Sequence, residues 1–441
     1  MLPTPLTNTS LYKYFSNRLP RFQFFYRTPR LYHSLLKLQS KDALTRSTRT
    51  QEFEAAICKH FNSRHCLTTS SFRMGLYFTL KSLNLKEGDE ILLSPITIPD
   101  TINAILLLKL KPVFVDMSLD DHCIDLAHAQ KQLTPKTRVL LATYLSGIVP
   151  NIQKIKDFTQ KHNLLFIEDF SQNYEAHFGD KYLGTWGDIS IGSLSSGKIL
   201  SSAVGGIILT QSDEYAANIK KEIESFIHAP TRSVLGYYLK NCIVVETATL
   251  RPIYIFFTHS YLRIMSILNG KGIVDFEHDP DHRNNIFFCS KPKLRTEFPK
   301  SFYTWLCNWQ ADMALGLLED MKTNTNKRRH LAKTLFDHLN PEAKKFIPHN
   351  LFDYEQNSYY HFPINCFGKR EEMRKKLFKN GIDNGSYGLN LCSEEAVFHP
   401  HTKSLENARI IKYDTVFIPL NEKYSENHMR HIAMTLNEMT H

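Results

Sequence analysis

Six short apolar runs, separated by helix-like stretches, fill the chain from Leu67 to Gln211. Several runs are continuously apolar rather than alternating, which is typical of strands covered on both faces. The stretches between them are long enough for crossover helices. The predicted strands are Glu90–Leu93, Pro112–Asp116, Arg138–Tyr144, Leu164–Asp169, Asp188–Ser193 and Gly206–Thr210, and the predicted helices are Gly75–Asn84, Thr101–Lys109, Asp125–Leu133 and Ile152–His162. The pattern predicts an α/β fold with a large, mostly parallel sheet.

The regular alternation of apolar runs and helix-like stretches ends after this region. An apolar, aromatic-rich stretch indicates an insertion or linker, and beyond it Met313, Leu317 and Met321 recur at spacing four, which predicts a long helix. Further predicted elements are the strand Tyr359–Asn365, the helix Arg370–Asn380, the strand Thr415–Ile418 and the helix Ser425–Met439. The chain is therefore divided into a basic aromatic arm (1–48), a large α/β domain (49–225), an insertion or linker (226–300) and a smaller C-terminal α+β domain (301–441).

The net charge of +10 is concentrated in the arm. Residues 1–41 carry seven basic side chains and no Asp or Glu, so the rest of the chain is nearly neutral and no nucleic-acid partner is expected. The arm could pack on its own fold or on a partner subunit, or make a weak contact with a membrane surface. The most apolar segment, Pro252 to Leu268, includes His259 and Arg263 and is shorter than the ~20 residues that span a bilayer, so no transmembrane helix is predicted.

Three other sequence patterns resemble metal or nucleotide sites, but the residues in and around each pattern argue against such a site. The eight cysteines form no C-x-x-C pair, which argues against a zinc knuckle and fits a reducing cytoplasm. The run Glu277–His282 contains acidic and histidine side chains, but Pro280 indicates a solvated turn, and no metal site is predicted. The segment Gly192–Lys198 matches a phosphate-binding loop, yet Ile199 stands where Ser or Thr would bind magnesium, so nucleotide hydrolysis is not expected.

Two polar side chains lie at the ends of predicted strands. Lys198 stands in a Ser/Gly-rich turn just beyond one strand, and Asp169 lies at the carboxyl end of another. Taken alone, Lys198 would be interpreted as a surface residue and Asp169 as a residue that caps a turn. Open α/β sheets, however, bind ligands in a crevice at these ends. An amine and a carboxylate in one crevice are what a pyridoxal phosphate enzyme requires, because the amine forms a Schiff base and the acid keeps the pyridine nitrogen protonated.

The order of several motifs resembles the DegT/DnrJ/EryC1/StrS sugar aminotransferases, which have the fold of aspartate aminotransferase, the PLP-dependent transferase fold type I. The motifs are Gln51–Glu54, Leu80–Ile91, Pro112–Asp116, Ile167–Gln172, Gly184–Asp188, Ser193–Lys198 and Val204–Gly206, with weaker matches at Gln310–Leu317, Lys379–Asp383 and Ile418–Leu420. The likeness covers about 48–215 well and 301–441 loosely.

The resemblance implies pyridoxal 5′-phosphate as cofactor and a role for each matching residue. Lys198 resembles the Schiff-base lysine, Asp169 the partner of the pyridinium nitrogen, Gln172 a neighbour of the ring and Ser193 the serine that binds the cofactor phosphate. The family's Ser-Gly-Thr phosphate turn reads Ser71-Phe72-Arg73 in this chain. A helix N-terminus at this turn still supplies amide donors, and Arg73 either pairs with the phosphate or is an ordinary surface arginine.

Four positions depart from the family pattern. The aromatic residue that stacks on the cofactor ring falls at Ile98, and the usual histidine after the fourth strand falls at Tyr144. The Asn and Arg that cross the dimer interface fall at Tyr303 and Trp305. These departures bear on the geometry of the dimer and on the substrate.

The activity implied by the resemblance is transfer of an amino group from glutamate or glutamine to a nucleotide-linked keto sugar, in polysaccharide biosynthesis, by a cytoplasmic homodimer. A pyridoxal phosphate-dependent sugar dehydratase is one alternative, although a histidine replaces the lysine in such dehydratases and Lys198 argues against it. A non-catalytic binding or regulatory relative with the same fold is the other.

Overall fold

A seven-stranded sheet organises the computed structural model, which describes residues 17–26, 28–224, 228–268, 292–399 and 403–439. In their order across the sheet, the strands are His65–Thr69 (β1), Gly206–Thr210 (β10), Ile189–Ser193 (β9), Leu165–Asp169 (β6), Thr137–Thr143 (β5), Glu90–Leu93 (β2) and Lys111–Phe114 (β4). Two short strand pairs lie outside this sheet. They are Ile96–Thr97 (β3) with Asn390–Leu391 (β12), and His177–Phe178 (β7) with Lys181–Tyr182 (β8).

The sheet is mostly parallel, as the sequence predicts. Strands β4, β2, β5, β6 and β9 pair in parallel, and β10 runs antiparallel to both of its neighbours, β9 and β1. In the register of β5, β6 and β9, Thr143 lies opposite Asp169, and Asp169 lies opposite Ile191. The carboxyl ends of these strands therefore meet at one edge of the sheet.

Helices cover both faces of the sheet, which explains the continuous apolar runs. Leu92, Leu140 and Phe166 pack into a core on one face, whereas their neighbours in sequence, such as Ile91 and Ile167, pack into a second core on the other. The helices of this part of the chain are Thr28–Leu38 (α1), Thr48–Phe61 (α2), Phe72–Ser82 (α3), Pro99–Leu107 (α4), Leu126–Gln132 (α5), Ile152–Lys161 (α6) and Asp213–Glu224 (α7).

A second unit forms around a two-stranded antiparallel sheet near the C-terminus. Its elements are Asn308–His338 (α11), Pro341–Lys344 (α12), Phe362–Asn365 (β11), Arg370–Lys379 (α13), Glu406–Tyr413 (α14), Thr415–Ile418 (β13) and Glu426–Asn437 (α15). The predicted strand from Tyr359 begins three residues later, at Phe362, because Tyr359 has a φ of 50°, outside the extended region. Leu335, Leu377 and Ile432 belong to its separate core.

The insertion is largely helical from Arg232 to Leu268. It consists of Arg232–Thr249 (α8), Arg251–Ile253 (α9), a π-helical turn at Tyr254–Thr258 and His259–Leu268 (α10). The run Glu277–His282 lies outside the described residues. The domain limits at 48, 225 and 300 stay predictions.

Two features are absent from the described ranges. No helix there is both long and apolar enough to cross a bilayer. Among the same residues, no group of three or more His, Cys, Asp and Glu side chains is placed to hold a metal ion.

The carboxylate of Glu168 is fully buried and links three parts of the large domain. It lies on β6 and accepts five hydrogen bonds, from backbone amides of the turn before β9, from a serine in β9 and from a tyrosine after β5. The donors are the Tyr144 hydroxyl (3.0 Å), the Gly184 amide (2.9 Å), the Trp186 amide (2.7 Å), the Gly187 amide (2.6 Å) and the Ser190 hydroxyl (2.8 Å). The motif Gly184–Asp188 is therefore the turn that encloses this carboxylate.

We expect Glu168→Ala to lower the free energy of unfolding by roughly 3–5 kcal/mol, because five buried donors lose a charged acceptor. Glu168→Gln should lose less, since the amide oxygen keeps some of these bonds. Denaturant unfolding followed by circular dichroism measures the change. Glu342→Gln is the control, because Glu342 pairs with Lys345 on the surface, and it should shift stability by less than about 0.5 kcal/mol. Equal stability of Glu168→Ala and the parent would contradict this role.

Candidate active site

A cavity of about 670 Å³ opens where β5, β6 and β9 end. The side chains that the sequence singled out come from three separate stretches of the chain, and the fold brings all of them to the wall of this cavity. They are Ser71, Phe72, Arg73, Asp169, Gln172, Ser193 and Lys198. The crevice expected at the carboxyl ends of the strands is thus present.

Lys198 stands in a turn that follows β9 rather than at the start of a helix. Its Nζ lies 4.9 Å from the centre of the Tyr360 ring, an aromatic surface that accommodates a cation. Burial lowers the pKa of Lys198 to about 8, and the charge of Asp169 opposes this shift. A lysine with this pKa is partly neutral near pH 8 and can act as a nucleophile.

Asp169 is buried at the end of β6, where it faces the cavity. Burial raises its pKa, against the hydrogen bonds from Ser171 and the charge of Lys198. The Ser171 amide donates to Asp169 Oδ1 at 3.1 Å. A buried carboxylate in this state gains most from a cation placed beside it.

Gln172 is held by the chain on the opposite side of the turn. The Ser146 amide donates to Gln172 Oε1 at 2.7 Å, and the Ser146 hydroxyl is 2.6 Å from the Tyr387 hydroxyl. Tyr387 also bonds the Nδ1 of buried His122 at 2.8 Å. This connected set fixes the orientation of the Gln172 side chain at the cavity wall.

The N-terminus of α3 forms one end of the cavity. Ser71 precedes the helix in an extended conformation, and the first helical hydrogen bond runs from the Gly75 amide to the Ser71 carbonyl. Gly206 lies between Ser71 and Ser193 and is paired with Ser193 in the sheet. A Cβ on Gly206 would lie 2.6 Å from the Ser71 carbonyl carbon, so glycine is required for this approach. Amide donors and the Ser193 hydroxyl thus share one end of the cavity, which suits an anion.

Arg73 is not an isolated surface arginine. Its Nη1 donates to Asp100 Oδ2 at 2.6 Å, and its guanidinium lies over the Phe302 ring at 5.0 Å. Arg295 also donates to Asp100, at 2.5 and 3.1 Å. Burial alone would raise the pKa of Asp100, but Arg295 and Arg73 outweigh it and hold that pKa below its usual value. The cluster keeps one net positive charge beside the N-terminus of α3.

Sequence reasoning missed part of the cavity wall. Tyr360 and His361 lie there, with the His361 ring stacked on Phe417 at 4.4 Å. Burial and the charge of Lys198 lower the pKa of His361 to about 3, so its ring is neutral at physiological pH. Helix α8 of the insertion adds Tyr237, Tyr238 and Asn241. These residues are distant in sequence from Lys198, and no local spacing indicated them.

The four departures from the family pattern have definite places. Ile98 lines the cavity and precedes α4. Tyr144 also lines it and donates to Glu168. Tyr303 and Trp305 are paired through their backbones with His228, and the Trp305 indole donates to the Leu44 carbonyl at 3.0 Å. Both residues thus make contacts within their own chain.

The sequence matches the model of the DegT/DnrJ/EryC1/StrS aminotransferase family over residues 30–229 and 293–437. Among curated proteins, an uncharacterized protein of Methanocaldococcus jannaschii, MJ1066, is 28% identical over 179 residues, which are 41% of this chain and 46% of that protein. The chain therefore spans less than half the length of this relative.

Solved structures resemble the chain over nearly all of its length. Helicobacter pylori PseC, an aminotransferase involved in the biosynthesis of pseudoaminic acid, has a TM-score of 0.68 at 18% identity, with 96% of this chain and 98% of that chain covered. NtdA from Bacillus subtilis with bound cofactor PMP has a TM-score of 0.67 at 19% identity, with 96% and 86% covered. A GDP-4-keto-6-deoxymannose-3-dehydratase has a TM-score of 0.66 at 15% identity, with 95% and 100% covered. The predicted fold class is confirmed.

The pKa of Lys198 predicts how the apo-protein captures pyridoxal phosphate. Only the neutral amine attacks the aldehyde, so the capture rate should rise with pH and level off above about 8. Asp169→Asn removes the carboxylate that favours the charged amine, and the midpoint should move to lower pH. Stopped-flow absorbance gives both midpoints, with Asp157→Asn on the surface helix α6 as control. A parent midpoint near the ordinary lysine value of 10.5 would contradict the burial effect.

Arg73 should contribute to holding the cofactor phosphate. A charge-assisted contact to a dianion is worth ~1.5–3 kcal/mol, so Arg73→Ala should weaken cofactor affinity roughly ten- to hundredfold. Arg73→Lys should recover only part of the loss, because a point charge lacks the planar fork. Titration of the apo-protein with pyridoxal phosphate measures this, and Arg138→Ala, at a half-exposed arginine of β5, is the control. Parent-like binding by Arg73→Ala would leave the phosphate to Ser193 and backbone amides.

Proposed function

Because the chain belongs to the DegT/DnrJ/EryC1/StrS aminotransferase family, we propose that it transfers an amino group from glutamate or glutamine to a nucleotide-linked keto sugar. The resemblance read from the sequence is confirmed, and the cofactor of the enzyme is pyridoxal phosphate. The observation that carries the proposal is the convergence of Lys198, Asp169, Gln172 and Ser193 on one cavity. The keto sugar and the amino donor are the finer parts of the proposal.

The residues present fit the cofactor at both of its ends. At one end, Ser193, Arg73 and the first amides of α3 offer donors and positive charge to a phosphate. At the other end, Asp169 offers a buried carboxylate to a protonated ring nitrogen. Lys198 lines the same cavity with a lowered pKa. Charge, donor type and cavity volume all support binding of pyridoxal phosphate.

When bound, the cofactor supplies an electron sink for the amino-bearing carbon. The proposed role of Lys198 is to move a proton between a carbon of the substrate and a carbon of the cofactor, first as a general base and then as a general acid. Its lowered pKa suits both roles, because the amine is present in both its neutral and its protonated form near pH 8. Asp169 would hold the proton on the ring nitrogen of the bound cofactor, and Gln172, whose side chain is fixed by Ser146, would lie beside the ring.

Two other functions remain to be separated by experiment. The similarity in fold to a GDP-4-keto-6-deoxymannose-3-dehydratase favours a dehydratase. Lys198 argues against it, because the family resemblance implies a histidine in place of this lysine in such dehydratases. The absence of the family's interface Asn and Arg, whose positions are taken by Tyr303 and Trp305, favours a non-catalytic relative. The complete set of Lys198, Asp169, Gln172 and Ser193 on one cavity opposes it.

We also propose a homodimer in the cytoplasm, with a product used in polysaccharide biosynthesis. The proposal is supported by the family and by the exposed aromatic surface of the insertion. Sedimentation at micromolar concentration checks the dimer, and an active monomer would refute it.

Lys198→Ala should abolish transamination while leaving the fold intact, because the change removes an amine from a turn and nothing from a core. Asp169→Asn should retain bound cofactor but lose most activity, since an amide does not keep the ring nitrogen protonated. Visible absorbance, borohydride trapping with peptide mapping to Lys198 and steady-state rates measure these effects. Substantial turnover by Lys198→Ala would refute the assignment, and unchanged turnover by Asp169→Asn would make Asp169 a structural cap.

Mass spectrometry of products from candidate nucleotide keto sugars with glutamate tests the substrate. An aminated sugar formed together with 2-oxoglutarate supports the aminotransferase. A deoxygenated sugar would support the dehydratase instead. Bound cofactor without any product from either reaction would favour the non-catalytic relative.

A further inference from the structure

The segment that carries Lys198 connects β9 to β10. It spans residues 194–205, is described throughout and has neither helix nor strand. We name residues 194–205 the lysine loop. Inside it, the Lys198 amide donates to the Ser195 carbonyl at 2.9 Å. Because connecting segments are more mobile than helices and strands, the position of the lysine depends on what packs against this loop.

Tyr26 of the arm binds the lysine loop through its hydroxyl group, and its side chain is buried. The Ser201 hydroxyl donates to the Leu194 carbonyl at 3.3 Å, which leaves the Tyr26 hydroxyl as the donor to Ser201. The Ala203 amide donates to the Tyr26 hydroxyl oxygen at 3.1 Å. One phenol therefore connects two loop residues that follow Lys198.

Ala203 has a backbone conformation that alanine seldom adopts. Its φ is 67°, in the left-handed region. Such a conformation persists only where the surrounding contacts enforce it. The Ala203 amide has two of these contacts, to the Tyr26 hydroxyl at 3.1 Å and to the Ser201 hydroxyl at 3.2 Å. The Tyr26 hydroxyl thus helps to enforce the shape of the lysine loop.

The loop residues just before the lysine are also supported from outside the loop. Phe22 of the arm lies against Gly197, where an added Cβ would be 3.2 Å from the phenyl Cζ. The Cys242 thiol of α8 is hydrogen-bonded to the side chains of Ser196 and Tyr26. The arm and the insertion therefore contact the lysine loop on both sides of the lysine in sequence.

The arm reaches the lysine from a third direction and is itself anchored. Phe25 lies 6.1 Å from Tyr360, the ring that faces the Lys198 amine. Arg21 Nε donates to both carboxylate oxygens of buried Asp383 at 3.0 Å, which fixes the arm to the C-terminal unit. The arm is thus a fixed support rather than a loose end.

We propose that Tyr26 is a positioning residue, whose hydroxyl group holds the lysine loop in the shape that places the Lys198 amine for attack on the cofactor aldehyde. The inference rests on the proposed role of Lys198. In that attack the neutral amine forms a C=N bond with the aldehyde carbon, and the aldehyde oxygen leaves as water. Tyr26 is not part of the cavity wall and acts through Ser201 and Ala203. The match to the family includes neither Tyr26 nor Cys242, so this support is an addition to the matched fold.

The test measures how fast the full-length apo-protein captures saturating pyridoxal phosphate, by stopped-flow absorbance across pH. In Tyr26→Phe the plateau rate at high pH should fall about tenfold, because a poorly placed group reacts more slowly. The midpoint should stay near that of the parent, because the burial that lowers the pKa of Lys198 to about 8 is unchanged. A purely structural role of the hydroxyl would lower the melting temperature and leave the plateau rate of the folded protein unchanged.

Ser201→Ala, the second variant, removes the partner of Tyr26 within the lysine loop. It should lower the plateau rate to a similar extent. The double variant should stay near the single variants rather than about a hundredfold below the parent, because both changes remove the same hydrogen bond. Ser201→Ala tests this bond by itself if Tyr26→Phe does not fold. Tyr32→Phe is the matched control and should capture the cofactor like the parent, since the Tyr32 hydroxyl bonds Thr247 of α8 at 2.6 Å rather than the lysine loop.

Three results would overturn the inference. Tyr26→Phe could keep the plateau rate of the parent, or it could move the midpoint at an unchanged plateau, which would mean that the hydroxyl acts on charge rather than on position. The two single effects could also multiply in the double variant, which would mean that Tyr26 does not act through Ser201. Borohydride trapping on the parent separates these results from a failure of the proposed function. A parent that is not labelled at Lys198 would overturn the proposed function and this inference together, whereas with a labelled parent the three results concern Tyr26 alone.

Discussion

The large domain depends on the placement of one buried carboxylate. Glu168 cannot lie at the centre of the sheet without hydrogen-bond donors, because an unpaired buried charge costs several kcal/mol. The fold supplies five donors by bringing the turn at Gly184–Gly187, the serine of β9 and Tyr144 to the same point. These contacts hold the ends of β5, β6 and β9 together. Asp169, the next residue of β6, and the turn that carries Lys198 are positioned by the same arrangement, so the chemistry of the cavity rests on a bond network that takes no part in it.

Much of this architecture was readable from the sequence, for a physical reason. Strands buried on both faces are continuously apolar, and Glu90–Leu93, Gly206–Thr210 and Thr415–Ile418 have the bounds that were predicted. The turn before β11 could not be predicted in this way. Tyr359 has a positive φ there, so β11 begins later in the chain than predicted. The placement of Lys198 and Asp169 at one cavity could be predicted, because Asp169 ends one recognisable strand and Lys198 follows another. Tyr360, His361 and Tyr387 reach the cavity through tertiary packing, which leaves no local pattern in the sequence.

The insertion contributes to two different surfaces of the protein. Helix α8 lines the cavity with Tyr237, Tyr238 and Asn241, and the helices that follow it carry exposed apolar side chains such as Phe257 and Ile264. Thr258 donates to the Ala248 carbonyl at 2.8 Å, so the π-helical turn is fixed to the end of α8. Leu250 interrupts the helix between α8 and α9, so this hydrogen bond, rather than a continuous helix, links the later helices to the end of α8.

The end of the cavity that we propose for the cofactor phosphate shows how a departure from a family motif can be compensated. Phe72 and Arg73 replace the small glycine and the hydroxyl of the family's turn, and the larger side chains must be accommodated by their neighbours. Asp100 binds Arg73, yet alone it would cancel the positive charge that a phosphate needs. Arg295, from the last part of the insertion, binds the same carboxylate and restores a net positive charge. An arginine at position 73 is therefore useful to an anion only together with Arg295, and the two should act as a pair rather than additively when both are replaced.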